Sequence, residues 1–154
     1  MEPLKEPSVC GNHMRPAAWM TNSPMPYESV LVANRGEIAV RILKALRECG
    51  LRGIAIHNDI DRDGMHLEYA DNVEHLRGED LMSTYLSTEA IINAAKRTGA
   101  DAIHPGYGFL SERADFAKAV LESGLIWIGP PPEAIMLMGD KIRARESMIK
   151  AQVP

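Results

Sequence analysis

Cysteine is nearly absent: Cys10 and Cys49 are the two in 154 residues. Two isolated thiols make neither a disulfide framework nor a metal-binding spacing, and they suit a reducing compartment. Aromatic residues make up 5% of the chain, too few to lay out a stacking platform for single-stranded nucleic acid. Basic charge is not in excess, since 17 Lys and Arg against 21 Asp and Glu give a net charge of -4. That balance argues against a nucleic-acid or anionic-membrane surface as partner. No apolar run approaches the roughly 18 residues that would span a bilayer. His57, His66, His75 and His104 do not fall at a metal-ligand spacing. These shortages leave an ordinary globular chain of one domain's length, with the cytoplasm as its expected place.

What the chain does have is alternation. Residues 1–28 stand apart, carrying Pro3, Pro7, Pro16, Pro24 and Pro26 with no periodicity. They read as a disordered or non-native extension. As a targeting peptide the stretch is poor, with Glu2 and Glu6 against Lys5 and Arg15; were it a transit peptide, the compartment would be the mitochondrial matrix. From Ser29 onward short apolar strands are expected at Ser29–Ala33, Gly53–His57, Ala102–Ile103 and Leu125–Ile128, with an edge strand at Val73–Leu76. A helix over Gly36–Cys49 carries Ile38, Ala39, Ile42, Leu43 and Leu46 on one stripe. Asn34 is its expected N-cap, with Glu37 at capping-box spacing, and Gly50 its end.

A short helical turn is expected over His66–Ala70. A helix capped by Ser87 or Thr88 carries Ile91, Ile92 and Ala95 and closes at Gly99; one capped by Ser111 carries Phe116, Ala117, Val120 and Leu121 and closes at Gly124. Helical patterns over Glu133–Met138 and Ile142–Ala151 follow, with Asp140 as a cap between them. Strands alternating with helices through short connections predict an α/β fold: a Rossmann-like, doubly wound parallel sheet of about five strands. The strands lack polar alternation, as burial on both faces requires.

The first strand-to-helix turn, Ala33-Asn-Arg-Gly-Glu37, has one glycine where a dinucleotide fold has three. Arg35 and Glu37 crowd the place of a pyrophosphate, so a dehydrogenase is set aside. Asp59-Ile-Asp-Arg-Asp-Gly64 opens like a calcium loop, yet position twelve is Ala70 instead of a bidentate glutamate. It reads as a solvated acidic loop. The most telling stretch is His104-Pro-Gly-Tyr-Gly-Phe-Leu-Ser-Glu112, where Gly106 and Gly108 flank Tyr107 directly after a strand. Glycines there allow positive φ and close backbone approach, at the strand end where α/β proteins place their chemistry. Lys141 opens the last helix against the macrodipole: an exposed surface lysine is the ordinary reading, and an anion such as phosphate shared there is the other.

The segments Val30-Leu-Val-Ala-Asn-Arg-Gly-Glu-Ile-Ala-Val-Arg-Ile42, His104 to Glu112, Ile128-Gly-Pro130 and Met138-Gly-Asp-Lys141, in that order and spacing, resemble the N-terminal, pre-ATP-grasp domain of the biotin carboxylase family. The family includes the carboxylase subunits of acetyl-CoA and propionyl-CoA carboxylases, and pyruvate carboxylase. The resemblance covers about Ser29 to Pro154, so residues 29–154 are expected to form that domain. It implies ATP- and Mg²⁺-dependent formation of carboxyphosphate from bicarbonate, and transfer of CO2 to a carrier-bound biotin. It further implies that Lys141 contacts ATP and that Tyr107, with Gly106 and Gly108, walls the biotin pocket. Arg41, Lys44 and Glu48 would lie on a homodimer face. The implied partners are an ATP-grasp remainder, a biotin carboxyl carrier domain and a second copy of the chain. The family's Mg²⁺-binding carboxylates, bicarbonate-binding arginine and catalytic glutamate have no counterpart here. The expectation is therefore a domain with no catalytic residue of its own and no carboxylase activity or tight binding of ATP, Mg²⁺ or biotin alone. Two other readings stand beside it: a non-catalytic interaction module that complements a separate ATP-grasp chain or dimerises, and a free-standing nucleotide-binding domain.

Overall fold

The computed structural model describes residues 26–139 and 141–151. Five strands, β1 (Ser29–Val32), β2 (Arg52–His57), β3 (Asn72–His75), β4 (Ala102–His104) and β5 (Ile126–Trp127), form one parallel sheet in the order β3-β2-β1-β4-β5. Helices α1 (Gly36–Glu48), α2 (Thr88–Thr98), α3 (Ala114–Glu122), α4 (Pro132–Gly139) and α5 (Lys141–Lys150) follow the strands, with a 3-10 helix at Met65–Tyr69 before β3. This is the doubly wound α/β sheet that the alternation predicts.

The register sets Leu31 beside Ile54 on one side and Ile103 on the other. Alternate residues of each strand point to opposite faces, so the sheet carries two cores. On one face Leu31, Ile54, Ile56 and Ile103 pack with Ile91 of α2 and Phe116 and Val120 of α3. Trp127 meets Phe116 edge-on at 5.5 Å. On the other face Val30, Val32, Ala55 and Ala102 pack with Ala39, Leu43 and Leu46 of α1. Each fully buried Leu or Ile adds about 1.5–3 kcal/mol over exposure, and the one polar side chain buried in β1, Ser29 at its start, has its hydroxyl bonded to Gly99 O and Asp101 Oδ2.

Three details depart from the sequence-based expectation. Asn34 does not cap α1: Arg35 occupies the cap position and makes no side-chain cap bond. Ser111 does not cap α3, which starts at Ala114 after Arg113. The chain first makes two turns, Ser111 N–H to Gly108 O at 2.9 Å and Arg113 N–H to Leu110 O at 3.1 Å. Leu121, placed on the apolar stripe of α3, is half exposed. Ser87 caps α2 as expected, accepting from Ala90 N–H at 3.2 Å, and Gly99 closes that helix in the left-handed region. Residues 1–25 and Asp140, the expected cap before α5, lie outside the described residues.

Candidate functional site

In the order β3-β2-β1-β4-β5 the chain winds outward from β1 to β3, then returns to the other side of β1. The loops leaving β1 and β4 therefore diverge, and the crevice between them is where such sheets take ligands. Here protein fills it. Asn34 stands at that point, 2% exposed. Its Nδ2 donates to the carbonyls of Pro105 and Tyr107, each at 2.9 Å, and its Oδ1 accepts from Arg35 N–H at 2.9 Å. The third bond fixes which end of the amide is which.

The loop after β4 is shaped to meet this group. Gly106 has φ +70°, and a Cβ there would lie 2.7 Å from Asn34 Nδ2. Gly106 N–H donates to His104 Nδ1 at 3.0 Å. Burial holds the imidazole of His104 below its ordinary pKa, which keeps that nitrogen available as an acceptor. Phe109 follows at φ +45° without being glycine, a conformation costing on the order of 1–3 kcal/mol. Its ring contacts offset that cost: Phe109 stacks on buried Tyr85 at 5.4 Å. The Arg35 guanidinium lies 5.8 Å and 5.9 Å from the two ring centres.

Arg35 Nη1 also donates to both carboxylate oxygens of Asp61 at 3.0 Å. Burial, and then the Asp61 charge, push the Tyr85 phenol well above its ordinary pKa, so Tyr85 stays neutral. The loop after β2 is solvated as expected at Asp59 and Asp63, whose side chains are exposed, but not at Asp61. Asp61 is 18% exposed and paired with Arg35, Asp59 pairs with His75 at 2.9 Å, and Asn58 Oδ1 accepts from the N–H groups of Ile60 and Asp61 at 3.1 Å.

The product of this clamping is Tyr107, 75% exposed, at the rim of a groove of roughly 680 Å³ whose other wall includes Ile38, Arg41 and Ile42 of α1. Gly106, Tyr107 and Arg41 thus share one groove, with Gly108 next in the loop. Lys44 and Glu48 do not line it. Lys44 Nζ lies 4.7 Å from the centre of the Tyr69 ring, and Glu48 is exposed. Lys141 is the first residue of α5; its side chain lies outside the described residues.

Sequence reasoning missed Asn34, Arg35 and Asp61 as parts of the site. The available signal was Asn-Arg-Gly directly after an apolar strand at a switch point, without the glycines that would admit a phosphate. Chemically the arrangement presents a flat, amphipathic ring on a fixed backbone. Among the described residues no three His, Cys, Asp or Glu side chains gather to hold a metal ion. No helix among them is long and apolar enough to cross a membrane.

Comparison with known proteins bears on the reading of this loop. The sequence profile of the family described as biotin carboxylase, N-terminal domain, matches residues 26–135. The biotin carboxylase of Allochromatium vinosum is 54% identical over 127 residues, which are 82% of this chain and 28% of that protein. The mitochondrial methylcrotonoyl-CoA carboxylase subunit alpha of rice (Oryza sativa subsp. japonica) is 50% identical over 127 residues, again 82% of this chain but 17% of that subunit. Among solved structures, the biotin carboxylase domain dimer of Hydrogenobacter thermophilus 2-oxoglutarate carboxylase, in complex with MgADP, ADP and bicarbonate, superposes with a TM-score of 0.78 at 46% identity. That match covers 83% of this chain and 28% of that one. The chain thus spans less than a third of the length of these relatives.

Proposed function

The chain belongs to the biotin carboxylase N-terminal domain family, and from that membership we propose that it supplies one wall of a biotin carboxylation site. The complete enzyme would use ATP and Mg²⁺ to activate bicarbonate and carboxylate a carrier-bound biotin. In this reading Tyr107, framed by Gly106 and Gly108, borders the ureido ring of biotin. Lys141 contacts ATP at the start of α5. Arg41, Lys44 and Glu48 form the face toward a second copy. The observation that carries the reading is the exposed Tyr107 held on a clamped backbone beside the α1 groove. A ring with an apolar face and a hydroxyl suits a cyclic urea, which is flat, apolar on its faces and polar at its rim.

In this reading phosphoryl transfer belongs to the ATP-grasp remainder, and no step of it is assigned to this chain. Electrostatic stabilisation of a transferring phosphoryl group needs several preorganised cations and donors, which one lysine does not make. The test is a mixing experiment. The full chain, the complementary ATP-grasp polypeptide of the Allochromatium enzyme, and both together are assayed for bicarbonate-dependent ATP hydrolysis stimulated by free biotin. Activity in the mixture alone is expected. Activity of this chain by itself, or none in the mixture, would overturn the reading. The alternative, a non-catalytic interaction module, draws on the exposed Met136, Met138 and Ile149 of α4 and α5. It predicts complex formation in the same mixture without turnover.

A further inference from the structure

Tyr107 depends on its backbone for its position. Its ring is largely exposed, and its hydroxyl makes no hydrogen bond among the described residues. Whatever fixes the carbonyls on either side of Gly106 therefore fixes the tyrosine. One carboxamide does this: Asn34 Nδ2 donates to Pro105 O and Tyr107 O at 2.9 Å each. Both contacts come from another strand end, 71 and 73 residues away in sequence, so they tie β1 to the loop after β4. Asn34 is at a place where asparagine would ordinarily cap the helix that follows, yet α1 has no side-chain cap. Its hydrogen-bonding capacity goes to the loop instead. On the far side of the loop Phe109 is pressed against Tyr85, and Arg35 spans both rings while bound to Asp61.

We propose that Asn34 is a positioning residue for the biotin-facing loop: its two donors set where Tyr107 stands, and Arg35 braces the same loop from its Phe109 side. The inference rests on the reading that Tyr107 borders biotin. Geometry gives it a direct consequence. Removing the two donors frees the carbonyls of residues 105 and 107 without touching the groove wall made by Ile38, Arg41 and Ile42.

The experiment compares the full chain with Asn34→Asp, which keeps the size and the acceptor for Arg35 N–H but removes both donors, and with Asn34→Ala. Two quantities are read. The first is the backbone order parameter of residues 106–109 by 15N relaxation. It is expected to fall from about 0.85 to below about 0.6 in both variants, while β1 and β4 keep their rigidity. The second is the KM for free biotin in the mixture with the complementary ATP-grasp polypeptide. It is expected to rise about tenfold, the equivalent of one lost hydrogen bond, with the KM for ATP unchanged. Order parameters and biotin KM that both stay at wild-type values would overturn the proposal, as would a lowered melting temperature with the loop still rigid. Should the Asn34 variants fail to fold, Gly106→Ala perturbs the same contact from the other side, since its Cβ would meet Asn34 Nδ2 at 2.7 Å. Tyr107→Ala separates the two ideas. If it leaves the biotin KM unchanged, the biotin reading of the loop fails, and the order parameters alone then decide whether Asn34 holds it.

Discussion

Gly106 donates its N–H to an imidazole nitrogen, His104 Nδ1, and a protonated imidazole cannot accept. Burial depresses the pKa of His104 from its ordinary 6.5, so on acidification the unfolded chain takes up this proton before the folded one does. Stability from this group is then complete above 6.5 and is lost as the pH falls from there toward the folded value. Asp101 works in a separate window. Its Oδ2 accepts from the Ser29 hydroxyl and from the N–H groups of Glu28 and Ser29. Those bonds lower its pKa from 3.8, the Ser29 hydroxyl first. The stability they give is present above 3.8 and lost as the pH falls through the lowered value. The Asp101 loss begins only below 3.8, so a comparison kept above pH 5 does not reach it, and substitution of His104 isolates the imidazole's share. The urea midpoint of the chain is expected to drop between about pH 7.5 and pH 5. In His104→Gln, whose side-chain carbonyl can accept from Gly106 without titrating, the drop is expected to shrink. Equal drops in both proteins would remove His104 from the account.

At the scale of elements, two serines with similar sequence contexts have different work. Ser87 accepts from Ala90 N–H, and Ser87→Ala is expected to destabilise the chain by about 1 kcal/mol, the usual value of an N-cap. Ser111 lies inside the paired turns before α3, and Ser111→Ala is expected to stay within about 0.5 kcal/mol of wild type, as for surface sites away from special features. Thermal melts of the two variants decide it. The contrast shows what could be read in advance. Strand positions, most helix faces and the parallel arrangement followed from apolar runs, from the 3.6-residue stripe and from the strand–helix alternation, because those signals are burial signals, and burial built the two cores. Caps were less legible. A Ser or Asn before an apolar run satisfies local helix chemistry on paper, but tertiary contacts can claim it first. Leu110, buried at the loop's end, draws the chain inward and delays α3. Asn34 is claimed by carbonyls more than seventy residues away, which no local window contains. The Tyr107 loop itself was visible as Gly-Tyr-Gly; the residues that hold it were not, because they come from the turn after β1 and the loop after β2.

The whole molecule is asymmetric about its sheet. At one edge β3 carries polar groups that occupy one another: Glu74 pairs with Arg97 of α2 at 2.7 Å, and His75 pairs with Asp59. Charged side chains on an edge strand discourage the addition of further strands, so this border is finished. Beyond β5 the chain continues into α4, which packs on α3, and into α5, which packs on α4. There Met136, Met138 and Ile149 are exposed. Exposed apolar side chains concentrated on two successive helices in this way mark a surface that gains by being covered, whereas single ones scattered over a protein do not. Under the proposed function the cover is the ATP-grasp remainder, approaching from the α4–α5 side and closing over the Tyr107 groove. Hydrogen exchange of the full chain, alone and mixed with that polypeptide, tests the direction of approach. Amides of α4 and α5 are expected to slow at least about tenfold on mixing, since local opening there would now also cost the new interface, while those of β3 and its flanking turns keep their rates. Slowing at β3 with no change in α4 and α5 would place the partner on the polar edge and reverse this assignment of faces.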